Sequence, residues 1–199
     1  MDLIVVRHAR PLAETRLENE GPADPPLSPV GLEQAETTAN FLADWGITHI
    51  VSSSMLRAFQ TAKPLSEKLG VEIEVIDDLK EADHKRSSYT PVEEMDPDDP
   101  LVKQYIENPE SFFDGGLEAF RERTVNAFNK IIKSNKSGLV AVFCHGMVMS
   151  VYLQTLIEHA DPLALHPDYC GLMRITAHSS GLRSVRSVNE HTHVRHLLD

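Results

Sequence analysis

Leu3-Ile4-Val5-Val6, followed at once by Arg7-His8, decides the fold. Four aliphatic residues in succession, with no polar residue alternating between them, predict a strand buried on both faces, as in a parallel sheet covered by helices. Such a strand hands its next side chains, Arg7 and His8, to its carboxyl end. Two further stretches repeat the layout. Ile47 to Val51 precedes Ser52-Ser53-Ser54 and then Arg57, and Leu139 to Cys144 precedes His145-Gly146. In open α/β sheets, ligands collect beyond the carboxyl ends of the strands.

Working outward, helical patterns separate these strands. Ser28 before Pro29 predicts a capped start with proline in the first turn, Leu32, Ala35, Ala39 and Leu42 recur at helical spacing as the core face, and Gly46 supplies the stop. Ser52, Ser53 and Ser54 are cap candidates for a second helix running toward Gly70 and bent near Pro64, with a strand from Val71 to Ile76 after it. From Asp77 to Gly116 the pattern becomes charged and proline-containing, with Glu93, Glu94, Asp96, Asp98 and Asp99 close together. It reads as an insertion or lid, about residues 84–116, with a short helix near Leu101 to Glu107. Order returns with Leu117, Phe120, Thr124, Phe128 and Ile131 on one helical face. A helix from Met147 to Ile157 follows, then two strands, Leu172 to Ala177 and Leu182 to Val188, around the turn Ser179-Ser180-Gly181. The expectation is one α/β domain over residues 1–199, a three-layer α/β/α sandwich with a mostly parallel sheet, an antiparallel edge strand and a lid insertion.

The 199 residues are 41% hydrophobic and 25% charged, an ordinary globular mixture that can bury a substantial core. Thirty acidic against nineteen basic residues leave a net charge of −11, which argues against nucleic acid and anionic membrane surfaces as partners. The start, MDLIVVRHAR, has no signal-peptide layout, and no apolar stretch is long enough to span a bilayer. Two cysteines, Cys144 and Cys170, make no disulfide framework, so a cytoplasmic protein is expected. No HExxH or paired Cys-His spacing points to a metal, and no cofactor is expected.

Two arginines and two histidines gathered in one crevice imply an oxyanion ligand. Guanidinium groups present planar, permanently charged donors that match two oxygens of a phosphoryl group. Positive neighbours push a histidine toward its neutral form, and neutral imidazole is a nucleophile. A proton donor must then serve the leaving alkoxide.

These residues carry a resemblance to a known family. Arg7-His8-Ala9, Pro26 to Ala35 (PLSPVGLEQA), Ser52 to Ala62 (SSSMLRAFQTA) and Val142-Phe143-Cys144-His145-Gly146 resemble, in order and spacing, the signature segments of the histidine phosphatase superfamily, also called phosphoglycerate mutase-like. Val188-Asn189-Glu190-His191-Thr192-His193 resembles its last strand. The resemblance implies that His8 is a nucleophile that becomes phosphohistidine, with Arg7, Arg57 and His145 around the phosphoryl group. It further implies that Glu81, in Leu79-Lys80-Glu81, is the general acid and base. Asp83 is the nearest competitor, then Glu93 or Glu94 if the lid folds back. His191 and His193 read as solvent-facing or structural.

Departures from the family pattern carry information. Ala9 stands where the family has glycine, so either the backbone there is ordinary or the pocket is rearranged. Arg10 is expected to reach the pocket rim and favour substrates with a second anionic group. The segment after Glu81 lacks the glycine- and tryptophan-containing pattern of the mutases. The expected activity is therefore metal-independent hydrolysis of a small phosphate monoester, with a phosphoglycerate mutase as the alternative and a catalytically weak phospho-ligand binder as a reading of another class. Expected partners are a small phosphorylated substrate and, as an option left open, a second copy of the chain in a homodimer.

Overall fold

Strand β1 (Asp2–Arg7) lies near the middle of a six-stranded sheet, and its alternating side chains build both cores. The computed structural model describes residues 1–17, 19–91, 94–96, 98–113, 115–161 and 165–198. The sheet also contains β3 (Ile47–Ser53), β4 (Ile73–Ile76), β6 (Leu139–Cys144), β7 (Leu172–Ala177) and β8 (Arg183–Glu190), in the order β4-β3-β6-β1-β7-β8. The first four strands in that order run parallel, and β7 and β8 form an antiparallel hairpin whose first strand pairs directly with β1. The antiparallel part is thus two strands wide, with β8 at the edge.

Leu3 and Val5 face one side of the sheet and join Val140, Val142 and Met173 against α4 (Leu117–Ser134) and α5 (Gly146–Ile157). Ile4 and Val6 face the other side and join Ile50, Ala141 and Phe143 against α1 (Pro29–Leu42) and α2 (Leu56–Leu69). This two-sided burial makes the strand residues continuously apolar, at roughly 1.5–3 kcal/mol for each large side chain removed from water. On α4 the expected face, Leu117 through Ile131, is the buried one. Among the described residues no helix is long and apolar enough to cross a membrane.

Several local expectations are corrected. Leu32 is 54% exposed, because the inward stripe of α1 runs through Gly31, Gln34, Ala35, Thr38, Ala39 and Leu42. Gln34 and Thr38 can be buried because both are bonded. Gln34 accepts from Arg10 N and donates to Leu197 O, and the Thr38 hydroxyl donates to Gln34 O. None of Ser52, Ser53 and Ser54 caps α2. Strand pairing continues through Ser53, and the Leu56 N–H instead donates to the Asp24 carboxylate at 2.9 and 3.1 Å, a cap delivered from the preceding loop. Strand β4 begins at Ile73 rather than Val71.

Ser28 caps α1 as expected, its Oγ accepting from Gly31 N. The insertion holds β5 (Ser88–Tyr89), paired antiparallel with β2 (Glu14–Thr15), and α3 (Pro100–Glu107). His193 stacks on Phe41 and bonds Thr38, and His191 bonds Asp168 and the Asn189 carbonyl, so both are structural.

Gly31 lets α1 approach the loop after β1 so closely that a Cβ there would stand 2.0 Å from the Arg10 carbonyl oxygen. Alanine normally gains ~1 kcal/mol over glycine inside a helix. Here Gly31→Ala is expected to lower stability instead, by about 1–3 kcal/mol of overpacking, read from the denaturant midpoint.

Candidate active site

The three strand ends named from sequence converge because β3, β6 and β1 are neighbours in the sheet. Arg7 is level with Cys144, and Ser52 with Phe143, so the residues that follow each strand emerge side by side. They open on a cavity of about 880 Å³ lined by Arg7, His8, Arg57 and Glu81 on its inner wall. The insertion forms much of the rest, including Lys85, Tyr89, Met95 and Phe112.

His8 is 3% exposed. A carbonyl can only accept, so the 2.8 Å contact between its Nδ1 and Ala9 O puts the ring proton on Nδ1 and the lone pair on Nε2. Arg57 Nε donates to that Nε2 at 3.3 Å. Burial, then Arg57 and Arg7, hold the imidazole well below its ordinary titration range, so it is neutral near pH 7. The loop is held by Ala9 N donating to Thr61 Oγ1 at 2.9 Å. Ala9 is not among the residues with positive φ, so the backbone there is ordinary and alanine fits without strain.

His145 lies beside His8, the rings 5.2 Å apart, and its Nε2 is 2.9 Å from Ser53 Oγ. Ser53 Oγ also accepts from Met55 N, and with its hydroxyl proton assigned to His145 Nε2 the imidazole proton stands on Nδ1. Burial, and then Arg57, His8, Arg7 and Arg123, keep His145 neutral as well.

Each arginine is fixed by an aromatic face and by an acceptor outside the histidine pair. Arg7 lies 4.1 Å over the Tyr169 ring and donates from Nη1 to Pro167 O. Arg57 lies 4.7 Å from the centre of Tyr89 and donates from Nη2 to both Asp83 oxygens, at 2.9 and 3.2 Å. Three buried donors around His8 have no protein partner: Arg7 Nε, Arg57 Nη1 and His145 Nδ1. Leaving such groups unsatisfied costs ~1–3 kcal/mol each, more when charged, so together they form a site suited to a tetrahedral oxyanion.

Glu81 accepts from its neighbour Ala82 N at 2.8 Å and from Met147 N, in the first turn of α5, at 2.9 Å. Those bonds favour the carboxylate, but burial and the nearby Asp83 charge prevail and raise its pKa to about 7. Asp83 is committed to Arg57 and Glu94 to Arg10, while Glu93 lies outside the described residues. Arg10 is placed differently from expectation. It does not line the cavity, and pairs at 2.9 Å with Glu94, which does.

Tyr89 and Tyr169 had no signal distinguishing them in the sequence. Ser53 and Thr61 did, both standing in the segment Ser52 to Ala62 already singled out, Thr61 one helical turn beyond Arg57.

The sequence profile of the histidine phosphatase superfamily (branch 1) matches residues 3–190. The chain belongs to that superfamily. It is 26% identical over 182 residues to the Yersinia pestis (strain Pestoides F) protein named probable phosphoglycerate mutase GpmB, covering 88% of this chain and 84% of that one. The fold superposes on mycobacterial glucosyl-3-phosphoglycerate phosphatase in complex with VO3 with a TM-score of 0.77 at 20% identity, covering 96% and 99% of the two chains. For the Entamoeba histolytica phosphoserine phosphatase mutant in complex with phosphoserine, the TM-score is 0.72 at 20% identity, covering 97% and 98%.

Inorganic phosphate is expected to stabilise this superfamily member by mass action, by about 2.7 kcal/mol at a hundredfold excess over its Kd. Thermal unfolding with increasing phosphate checks this. Arg7→Gln should lose more than half of the upward shift in Tm.

Proposed function

We propose that this protein hydrolyses small phosphate monoesters through a phosphohistidine on His8, without a metal. The observation that carries the reading is the group of three unpartnered buried donors around a neutral imidazole. His8 Nε2 attacks phosphorus in line with the ester oxygen, exchanging its bond from Arg57 for one to phosphorus. Arg7, Arg57 and His145 hold the phosphoryl oxygens, and the P–O bond breaks as protonated Glu81 gives its proton to the leaving alkoxide. Water then attacks the phosphohistidine, Glu81 takes its proton, and the P–N bond breaks to release phosphate and neutral His8. The Ala9 carbonyl supports the intermediate by accepting from Nδ1–H.

The cavity supports a small molecule over a phosphoprotein, since residues between Lys85 and Phe112 line it and narrow the approach to the inner wall. The relative named as a phosphoglycerate mutase keeps the mutase reading in view. Phosphate release measured against isomer formation separates the two activities. A cytoplasmic location belongs to the same proposal, supported by two buried free cysteines.

Two results test the chemistry. His8→Ala should abolish turnover of a panel of phosphate esters and the acid-labile phosphoryl adduct, whereas undiminished turnover would assign the nucleophile elsewhere. In the pH profile, Glu81 must be protonated to serve the leaving group, so kcat/KM should decline above about 7. His8, displaced downward, should put the ascending limb below the ordinary histidine range. Glu81→Gln should remove the descending limb and lower kcat by ~10²–10⁴-fold.

A further inference from the structure

Asp83 is outside the chemistry just described, yet it touches the group on which that chemistry depends. Its carboxylate, 13% exposed, takes both of its close contacts from Arg57 Nη2, at 2.9 and 3.2 Å. With Nε committed to His8 Nε2 and the guanidinium face against Tyr89, that leaves Nη1 as the one corner of the fork without a partner. Asp83 and Glu81 share one turn of chain, closed by His84 N donating to Glu81 O and Arg86 N donating to Asp83 O. Buried Leu79 and Ala82 anchor this turn in the core.

We propose that Asp83 is a positioning residue for phosphoryl transfer, holding the Arg57 fork so that Nε meets His8 and Nη1 is presented to the phosphoryl oxygens. The role rests on the phosphatase reading above. Its geometry explains why the carboxylate binds one corner of the guanidinium rather than spanning two. Engaging Nη1 as well would occupy the donor the phosphoryl group needs.

A second consequence follows from charge. The charged or titratable groups interacting with Glu81 are Asp83 on its own turn, Arg57 from α2, Arg123 from α4 and Cys144 from β6. Asp83 is the negative charge that opposes ionisation of Glu81, while Arg57 favours it. Neutralising Asp83 removes the opposition and leaves Arg57 less compensated. Both changes move Glu81 toward easier proton loss, so the acid fails at a lower pH.

Asp83→Asn tests both parts, with glycerol 2-phosphate, whose alkoxide leaving group needs the Glu81 proton, as substrate and Asp83→Glu as the charge-restoring control. The expected result is a fall in kcat of roughly 10–100-fold, from a misplaced guanidinium, together with a descending limb displaced to lower pH. Asp83→Glu should return the limb toward its original position while recovering kcat only in part, since the longer side chain changes the fork geometry. The substrate's own ionisation is common to all the enzymes, so displacement between their curves belongs to the protein. Orthovanadate binding should weaken in Asp83→Asn, and circular dichroism shows whether that variant is folded. A folded Asp83→Asn enzyme with unchanged kcat and unchanged pH profile overturns the proposal. So does a loss of kcat with the limb unmoved and vanadate affinity intact. If the wild-type protein turns over no ester and forms no phosphoryl adduct, the phosphatase reading fails instead.

Discussion

A guanidinium with no solvent exposure is the constraint around which this molecule is organised. Arg57 is among the largest fully buried side chains, and a charge removed from water without compensation costs several kcal/mol. Burial opposes its protonation, and the neighbouring Asp83 carboxylate, with the ring face of Tyr89, offsets that, leaving it firmly charged. The compensating groups come from separate parts of the chain. Asp83 arrives on the turn beyond β4, and Tyr89 on β5, which is fastened to β2 in the loop after His8. The helix carrying Arg57 starts at a cap supplied by Asp24. One buried charge therefore ties the insertion, the loop after β1 and the sheet together, where apolar packing alone would leave their relative positions less specified.

What was legible in the sequence follows the same division. The sheet and its helices were readable because Leu3 to Val6 and Leu139 to Cys144 are buried on both faces, and two-sided burial writes itself as uninterrupted apolar residues. The helix faces were readable where large apolar residues mark the buried side, as Leu117, Phe120, Phe128 and Ile131 do on α4. The reading failed on α1, where Gln34 and Thr38 are buried through hydrogen bonds that no hydrophobic pattern announces, and Leu32 was assigned to a face it does not occupy. Arg7, His8, Arg57 and His145 could be found because Arg7 closes a strand, His8 and His145 directly follow one, and Arg57 stands in the first turn of the helix after another. Tyr89, Tyr169 and the Asp24 cap could not, since their contacts join residues 32 to 162 positions apart through loops without periodicity.

The acidic balance of the chain looks at first like an obstacle to binding an anion, but the structure separates the two scales. Exposed charges more than about 8 Å apart are largely screened at physiological salt, whereas buried donors act at contact distance with little screening. Among the acids near the cavity, Glu94 is paired with Arg10 and Asp83 with Arg57. The net −11 is summed over the whole chain, whereas the inner wall presents Arg7 and Arg57.

The proposed chemistry needs one group that has already lost its proton and another, in the same cavity, that still holds one. Burial alone supplies both, because it penalises whichever form is charged. It drives the basic His8 down and the acidic Glu81 up. The arginines reinforce the first displacement but work against the second, and Arg57 taken alone would draw the proton from Glu81. Asp83 resolves that conflict by standing beside both groups, compensating the cation while repelling a second negative charge. The interval between the two titrations, from well below the ordinary histidine range up to about 7, is where a nucleophilic imidazole and a protonated carboxyl coexist. Its width depends on burial, and its upper edge on burial reinforced by a carboxylate that the proposed mechanism never brings into contact with the substrate.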